Sequence, residues 1–222
     1  MEKPERLTSS IKPPLSKQDW LCLSLTKGVG PARLNRLYVY LNGLMSSTDY
    51  LNVSHTHRDS INLELLMQLK WPKESAVSAM AYLSTGALSQ QAYQQLVTTQ
   101  SWLAESSQHH LIMRSEANYP AELDQISVAP LFLYVKGSID ALVNHPKLAM
   151  VGARKASHYG KQTAYQFAQQ LVEQGFTIVS GGAIGIDTSS HQGALAARGV
   201  TLAVMGAGLL NLYPKSNLSL FD

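Results

Sequence analysis

Residues 148–208 read LAMVGARKASHYGKQTAYQFAQQLVEQGFTIVSGGAIGIDTSSHQGALAARGVTLAVMGAG. Three short apolar runs recur in this stretch, Leu148–Val151, Thr177–Ser180 and Thr201–Met205. Each is followed by glycine, and the segments between them, 158–174 and 187–198, are helix length. Short apolar runs bounded by glycine suit buried strands, and strands alternating with helices mark a parallel sheet with helices on its faces. The spacing therefore predicts an α/β, Rossmann-like domain.

Upstream, Leu111-Ile112-Met113 and Leu131–Val135 read as two further strands. Residues 89–106 read as one helix, with Tyr93, Leu96, Val97 and Leu103 apolar. No strand pattern precedes about residue 108. Trp20, Leu21, Leu23 and Leu25 come before Gly28-Val29-Gly30-Pro31, and Leu34, Leu37, Tyr38 and Leu41 follow at helical spacing. Proline suits the first position of that helix. Two more helices fit Ile61–Leu69 and Pro72–Leu83, with Ser84-Thr85-Gly86 as the stop. These signals divide the chain at about residue 86, into a small all-helical domain (1–86) and the Rossmann-like domain (87–222). The first residues, rich in Pro, Ser and Lys, read as a flexible lead-in.

Composition narrows the class. The 222 residues are 45% hydrophobic and 15% charged, which supports a packed core. The one cysteine, Cys22, has no internal disulfide partner, so a reducing cytoplasm is the expected compartment. No apolar run is long enough to cross a membrane, and the N-terminus lacks a signal-peptide core. The formal net charge is +3, with seven Lys/Arg against three acids in residues 1–40. The basic residues thus gather near the chain's two ends, where the glycine-rich motifs also lie.

In parallel sheets, ligands sit beyond the carboxyl ends of the strands. Gly152-Ala153-Arg154-Lys155 lies there. Glycine lets backbone N–H groups approach an anion, and Arg154 can fork onto a phosphate. The competing reading makes Gly152 a tight turn and Arg154 a solvated charge. Ser180-Gly181-Gly182 forms a second such loop, with the Ser180 hydroxyl as a phosphate donor. Asp187 reads as the N-cap of the next helix. His191 lies four residues on, placed for a phosphate or base contact or for a structural hydrogen bond.

Met205-Gly206-Ala207-Gly208 resembles the start of a dinucleotide fingerprint, but Asn211 stands at the third glycine and Pro214 interrupts the helix. At the first strand Arg154 occupies the second glycine position. Both departures argue against a dinucleotide, and no cofactor is implied. The remaining histidines form no metal-spaced set, and no nucleophile elbow, P-loop or paired carboxylates occur. The sequence shows no catalytic constellation. At Lys27-Gly28-Val29-Gly30-Pro31-Ala32-Arg33, the turn resembles the G-x-G hairpin of helix-hairpin-helix and SAM-like modules. There backbone amides grip DNA phosphate, a role that Lys27, Gly28, Gly30 and Arg33 suit. A plain helix–helix turn fits equally.

Val151-Gly152-Ala153-Arg154, Tyr159-Gly160, Ser180–Ala183, Gly185-Ile186-Asp187, His191, Gly193-Ala194-Leu195, Gly206–Gly208 and Tyr213-Pro214 occur in the order and spacing of the DNA-processing protein A family (DprA, also called Smf). Tyr119-Pro120, Ala129-Pro130 and Leu133–Gly137 resemble that family's entry into an extended Rossmann fold. The resemblance implies binding of single-stranded DNA, a part in DNA uptake during natural transformation, and loading of a RecA-type recombinase. It further implies dimerisation through the Rossmann domain and no catalytic activity. The DNA pocket would use the loops at Gly152–Lys155 and Ser180–Gly182. Ala153 stands where the family usually has serine, and Ile184 where it often has arginine, which removes one phosphate contact. Further strands follow in the family, so this sheet is expected to be C-terminally truncated.

Two alternatives remain. A phosphoribosyl-binding hydrolase of the lysine-decarboxylase-like type has a related core, but no glutamate here takes the catalytic place. An interaction module would use the helices to hold a protein and would bind no DNA.

Overall fold

A computed structural model of the chain describes residues 15–46, 58, 60–206 and 208–221. Residues 1–14 of the expected lead-in and the stretch holding His55 and His57 lie outside the described residues. The chain forms two compact units, residues 1–106 with 122–132, and residues 107–121 with 133–222.

The first unit is helical: α1 (Lys17–Ser24), α2 (Pro31–Ser46), α3 (Leu63–Gln68), α4 (Lys73–Thr85) and α5 (Gln90–Glu105). A short helix, α6 (Ala121–Asp124), follows where the chain re-enters this unit. Ser16 starts α1 with a capping box. Its hydroxyl accepts the Asp19 N–H while the Asp19 carboxylate accepts the Ser16 N–H. Trp20 packs edge-on against Tyr38 with ring centroids 5.6 Å apart. The Tyr82 hydroxyl on α4 donates to Asp19 Oδ1 at 3.0 Å.

The division expected near residue 86 lies within the first compact unit. Gly86, at φ 75, ends α4 as a left-handed C-cap. Next, α5 buries Ala92, Leu96 and Trp102 and packs back on α1.

The second unit contains β1 (His109–Met113), β2 (Phe132–Lys136), β3 (Lys147–Ala149), β4 (Thr177–Ser180) and β5 (Thr201–Ala203), with α7 (His158–Glu173) and α8 (Ile186–Ala196) as crossovers. β1 and β2 pair with each other, apart from a parallel three-stranded sheet in the order β3-β4-β5. In register, Leu148 pairs with Ile178 and Ile178 with Thr201. Ile178 forms a core with Ala168 of α7 and Ala194 of α8, packed by Met150, Leu171 and Val172. Both helices therefore lie on the sheet face that carries Ile178. Gly193 lets them close, because a Cβ there would collide with the Tyr165 carbonyl. On the opposite face, Val151 and Val204 are 81% and 67% exposed. This is the Rossmann-like parallel arrangement predicted from residues 148–208.

Candidate nucleic-acid interface

The β3 ladder continues to Met150, whose N–H donates to the Val179 carbonyl at 2.9 Å. The chain then turns outward until Ser157, whose hydroxyl caps α7 by accepting the Gly160 N–H at 3.1 Å. Gly152, Ala153, Arg154 and Lys155 are all exposed in this turn. The Arg154 and Lys155 side chains have no hydrogen bond or ion pair among the described residues.

The inner side of the turn is fixed by α8. The Ile186 N–H donates to the Ala153 carbonyl at 3.3 Å. Gly185, at φ 90, caps α8, and a Cβ there would collide with the Ala153 carbonyl and stand 2.5 Å from that of Arg154. A Cβ on Gly152 would stand 2.6 Å from the Ile186 side chain. The loop's carbonyls are therefore turned inward against the α8 terminus, while its two cations stand at the surface.

The loop after β4 is built differently. Ser180 is 4% exposed, and its hydroxyl donates to the Met150 carbonyl at 2.7 Å. The hydroxyl expected to donate to phosphate thus has a buried acceptor inside the fold. Its carbonyl takes the Val204 N–H at 2.8 Å. Gly182 is buried beneath the Phe221 ring, which would stand 3.0 Å from a Cβ. Its carbonyl accepts from the Asn217 amide at 3.0 Å. The same amide reaches the Ala183 carbonyl at 3.3 Å and the Thr188 hydroxyl at 2.7 Å. Gly181 alone of the three is exposed, and a Cβ on it would stand 3.0 Å from the Asp187 carboxylate.

Asp187 is not the N-cap, which is Gly185. It lies in the first turn of α8, and its carboxylate reaches back to accept the Ala183 N–H at 3.2 Å. Sequence reasoning missed Asn217 and Phe221, because no periodic pattern after Gly208 marks that segment as packed.

His191, expected at the interface, is 2% exposed. Its Nδ1 lies 2.7 Å from the Thr201 hydroxyl, whose own proton goes to the Ile178 carbonyl at 2.9 Å. Nδ1 therefore carries the imidazole proton and donates it. Nε2 is buried without a hydrogen-bond partner. Burial pushes this imidazole's pKa below its ordinary value, against the opposing pull of Asp187.

In the helical unit, Lys27 is exposed and Gly28 holds φ 81. Arg33 does not reach outward. Its Nε donates to the Lys70 carbonyl at 2.8 Å and its Nη1 to the Gly28 carbonyl at 3.0 Å. Arg33, expected to contact phosphate, straps the turn. The Gly30 carbonyl accepts the Arg33 and Leu34 N–H groups and so starts α2.

Among the described residues no group of three or more His, Cys, Asp or Glu is placed to hold a metal ion. No helix among them is long and apolar enough to cross a membrane.

Comparison with known proteins places this arrangement. The sequence model of the DNA recombination-mediator protein A family matches residues 110–222. Protein Smf of Escherichia coli K12 is 35% identical over 155 residues, which cover 67% of this chain and 41% of that protein. DNA processing protein DprA of Streptococcus pneumoniae R6 is 45% identical over 104 residues, 47% of this chain and 36% of that protein. The chain thus spans less than half the length of these two relatives. The X-ray structure of DprA from Streptococcus pneumoniae superposes with a TM-score of 0.66 over 91% of this chain and 62% of that one. At 23% identity, that likeness establishes a shared fold. With half of its length matched, including all three parallel strands and both crossover helices, the chain belongs to the DNA recombination-mediator protein A family.

Proposed function

We propose that this chain binds single-stranded DNA along the exposed turn Gly152-Ala153-Arg154-Lys155, with Gly181 as the adjoining floor, and acts without a chemical step. In this reading it serves DNA uptake in natural transformation and recombination, in the cytoplasm, by presenting the strand to a RecA-type recombinase. A homodimer through the Rossmann-like unit completes the assembly. Ser180, Gly182 and His191 hold the interface from behind and do not touch the strand.

One observation carries the proposal: Arg154 and Lys155 stand unpaired and exposed at the carboxyl end of a parallel strand. The loop's carbonyls are turned away from them toward Gly185. Two unpaired cations on a pinned turn attract a phosphate chain, and each neutralised phosphate releases condensed counterions. Asp187, the nearby carboxylate of α8, is engaged by the Ala183 N–H and half-buried, which limits its repulsion of an anion. Family membership supports the same direction.

Fluorescence anisotropy with a labelled oligo-dT and the matching duplex, across a salt series, tests the proposal. The single strand is expected to bind more tightly than the duplex and to weaken steeply with salt. A folded chain that binds oligo-dT no better at low salt than at high salt would contradict it.

A further inference from the structure

We propose that the helical unit carries a second phosphate-binding surface, formed by Lys27, Lys70 and Lys73, which takes the backbone of duplex DNA as readily as a single strand. This surface belongs to the helical unit, and the proposal does not depend on the strand-end loop of the second unit.

The two glycines of the Gly28-Val29-Gly30 turn are adjacent in sequence to Lys27 alone of these lysines. The other two arrive through the fold. Arg33 bridges the Gly28 and Lys70 carbonyls, and Arg36 donates to the Leu69 carbonyl at 3.0 Å. The Trp71 indole N–H returns to the Arg33 carbonyl at 3.2 Å. Ser75, in α4, donates its hydroxyl to the Lys27 carbonyl at 2.7 Å. A Cβ on Gly28 would stand 2.6 Å from that hydroxyl. The turn, the end of α3 and the start of α4 are thus locked together, and Lys27, Lys70 and Lys73 are exposed around them.

The charge is lopsided. Residues 27–36 and 70–75 contain Lys27, Arg33, Arg36, Lys70 and Lys73 against Glu74 alone, in a chain whose net charge is +3. Both arginines are engaged with carbonyls, which leaves the three ammonium groups to meet a ligand. Lys70 holds φ 67 just past the end of α3, a conformation that glycine adopts with less strain. A lysine therefore occupies a place whose backbone favours glycine.

The ligand class follows from what the surface lacks. Selectivity for single strands comes from bases stacking on aromatic faces. The aromatic at this surface, Trp71, is 3% exposed and cannot stack. Ammonium groups meet phosphates as point charges and read no base. The surface fits any DNA backbone and has no means of rejecting a duplex.

The test is anisotropy of a blunt labelled duplex on the whole chain across a salt series, comparing the parent with Lys27→Gln/Lys70→Gly/Lys73→Gln. Glycine suits the backbone at position 70, and circular dichroism checks that the variant folds. Removing three phosphate contacts should lower the slope of log affinity against log salt by about two to three and weaken binding at least about tenfold at low salt. A folded variant with the parent's duplex affinity and slope would overturn the proposal, as would a parent that binds no duplex at low salt. Single-strand binding by Arg154→Ala reports on the other site separately. Its indifference would end the loop reading and leave a lost duplex slope in the triple variant standing.

Discussion

The turns after β3 and after β4 leave neighbouring parallel strands at the same sheet end, yet they have opposite construction. The first exposes Gly152 to Lys155 and leaves two cations unpaired. The second is sealed: Ser180 donates to Met150, Asn217 closes on Gly182 and Ala183, and Phe221 covers Gly182. Both would pass as phosphate loops on composition. Buried polar groups must find partners, so the useful question is which of them already have one inside the fold. By that criterion the first loop is open to solvent and the second is engaged inside the fold.

Gly185 joins the two loops, and substitution there should have the largest effect. Gly185→Ala introduces a Cβ at φ 90 against the carbonyls of residues 153 and 154. It should destabilise the second unit by more than about 3 kcal/mol in urea unfolding. A variant as stable as the parent would mean that the loops are not locked through this contact. Asn217→Ala comes next. It removes an amide with three acceptors and leaves buried loop carbonyls short of a donor. The expected loss is about 2 kcal/mol, read by the same unfolding experiment. Ser180→Ala should cost about 1 kcal/mol, since it deletes one buried hydrogen bond.

The smallest expected effect is a pH dependence from His191. Burial lowers its pKa in the folded chain from the ordinary 6.5. Below that value the unfolded state takes up a proton that the folded state refuses, so stability falls as pH drops from 6.5 toward the folded pKa. Above pH 6.5 the contribution is full and flat. His191→Asn, which can keep the donor to Thr201, should flatten that slope in denaturation curves recorded across this range. A slope that survives the substitution would assign it to another group.

Much of the fold was legible because strand and helix periods are local. β4 runs over Thr177–Ser180 as read, and α7 and α8 begin within a residue of the predicted helices. What escaped is set by tertiary contact. Gly86 looks like a domain stop, but its left-handed backbone caps α4 and the next helix, α5, packs back on α1. Ser180 held a usable signal, since it lies two residues after Ile178 and so shares the helix-covered face. Likewise His191 lies three residues before the buried Ala194, on the covered side of α8. Arg33 gave no such signal. Its Gly28 acceptor lies in the adjoining turn, but the Lys70 carbonyl comes from the end of α3, 37 residues along the chain. Asn217 closes on a loop 34 or 35 residues earlier, beyond any periodicity.

If the β3 turn meets the strand and the β4 turn supports it from behind, oligo-dT affinity measured side by side on folded Arg154→Ala and Ser180→Ala should separate the two: a loss of about tenfold for Arg154→Ala and a change within about twofold for Ser180→Ala. Equal affinities in the parent and a folded Arg154→Ala, or a Ser180→Ala loss as large as that of Arg154→Ala, would contradict that arrangement.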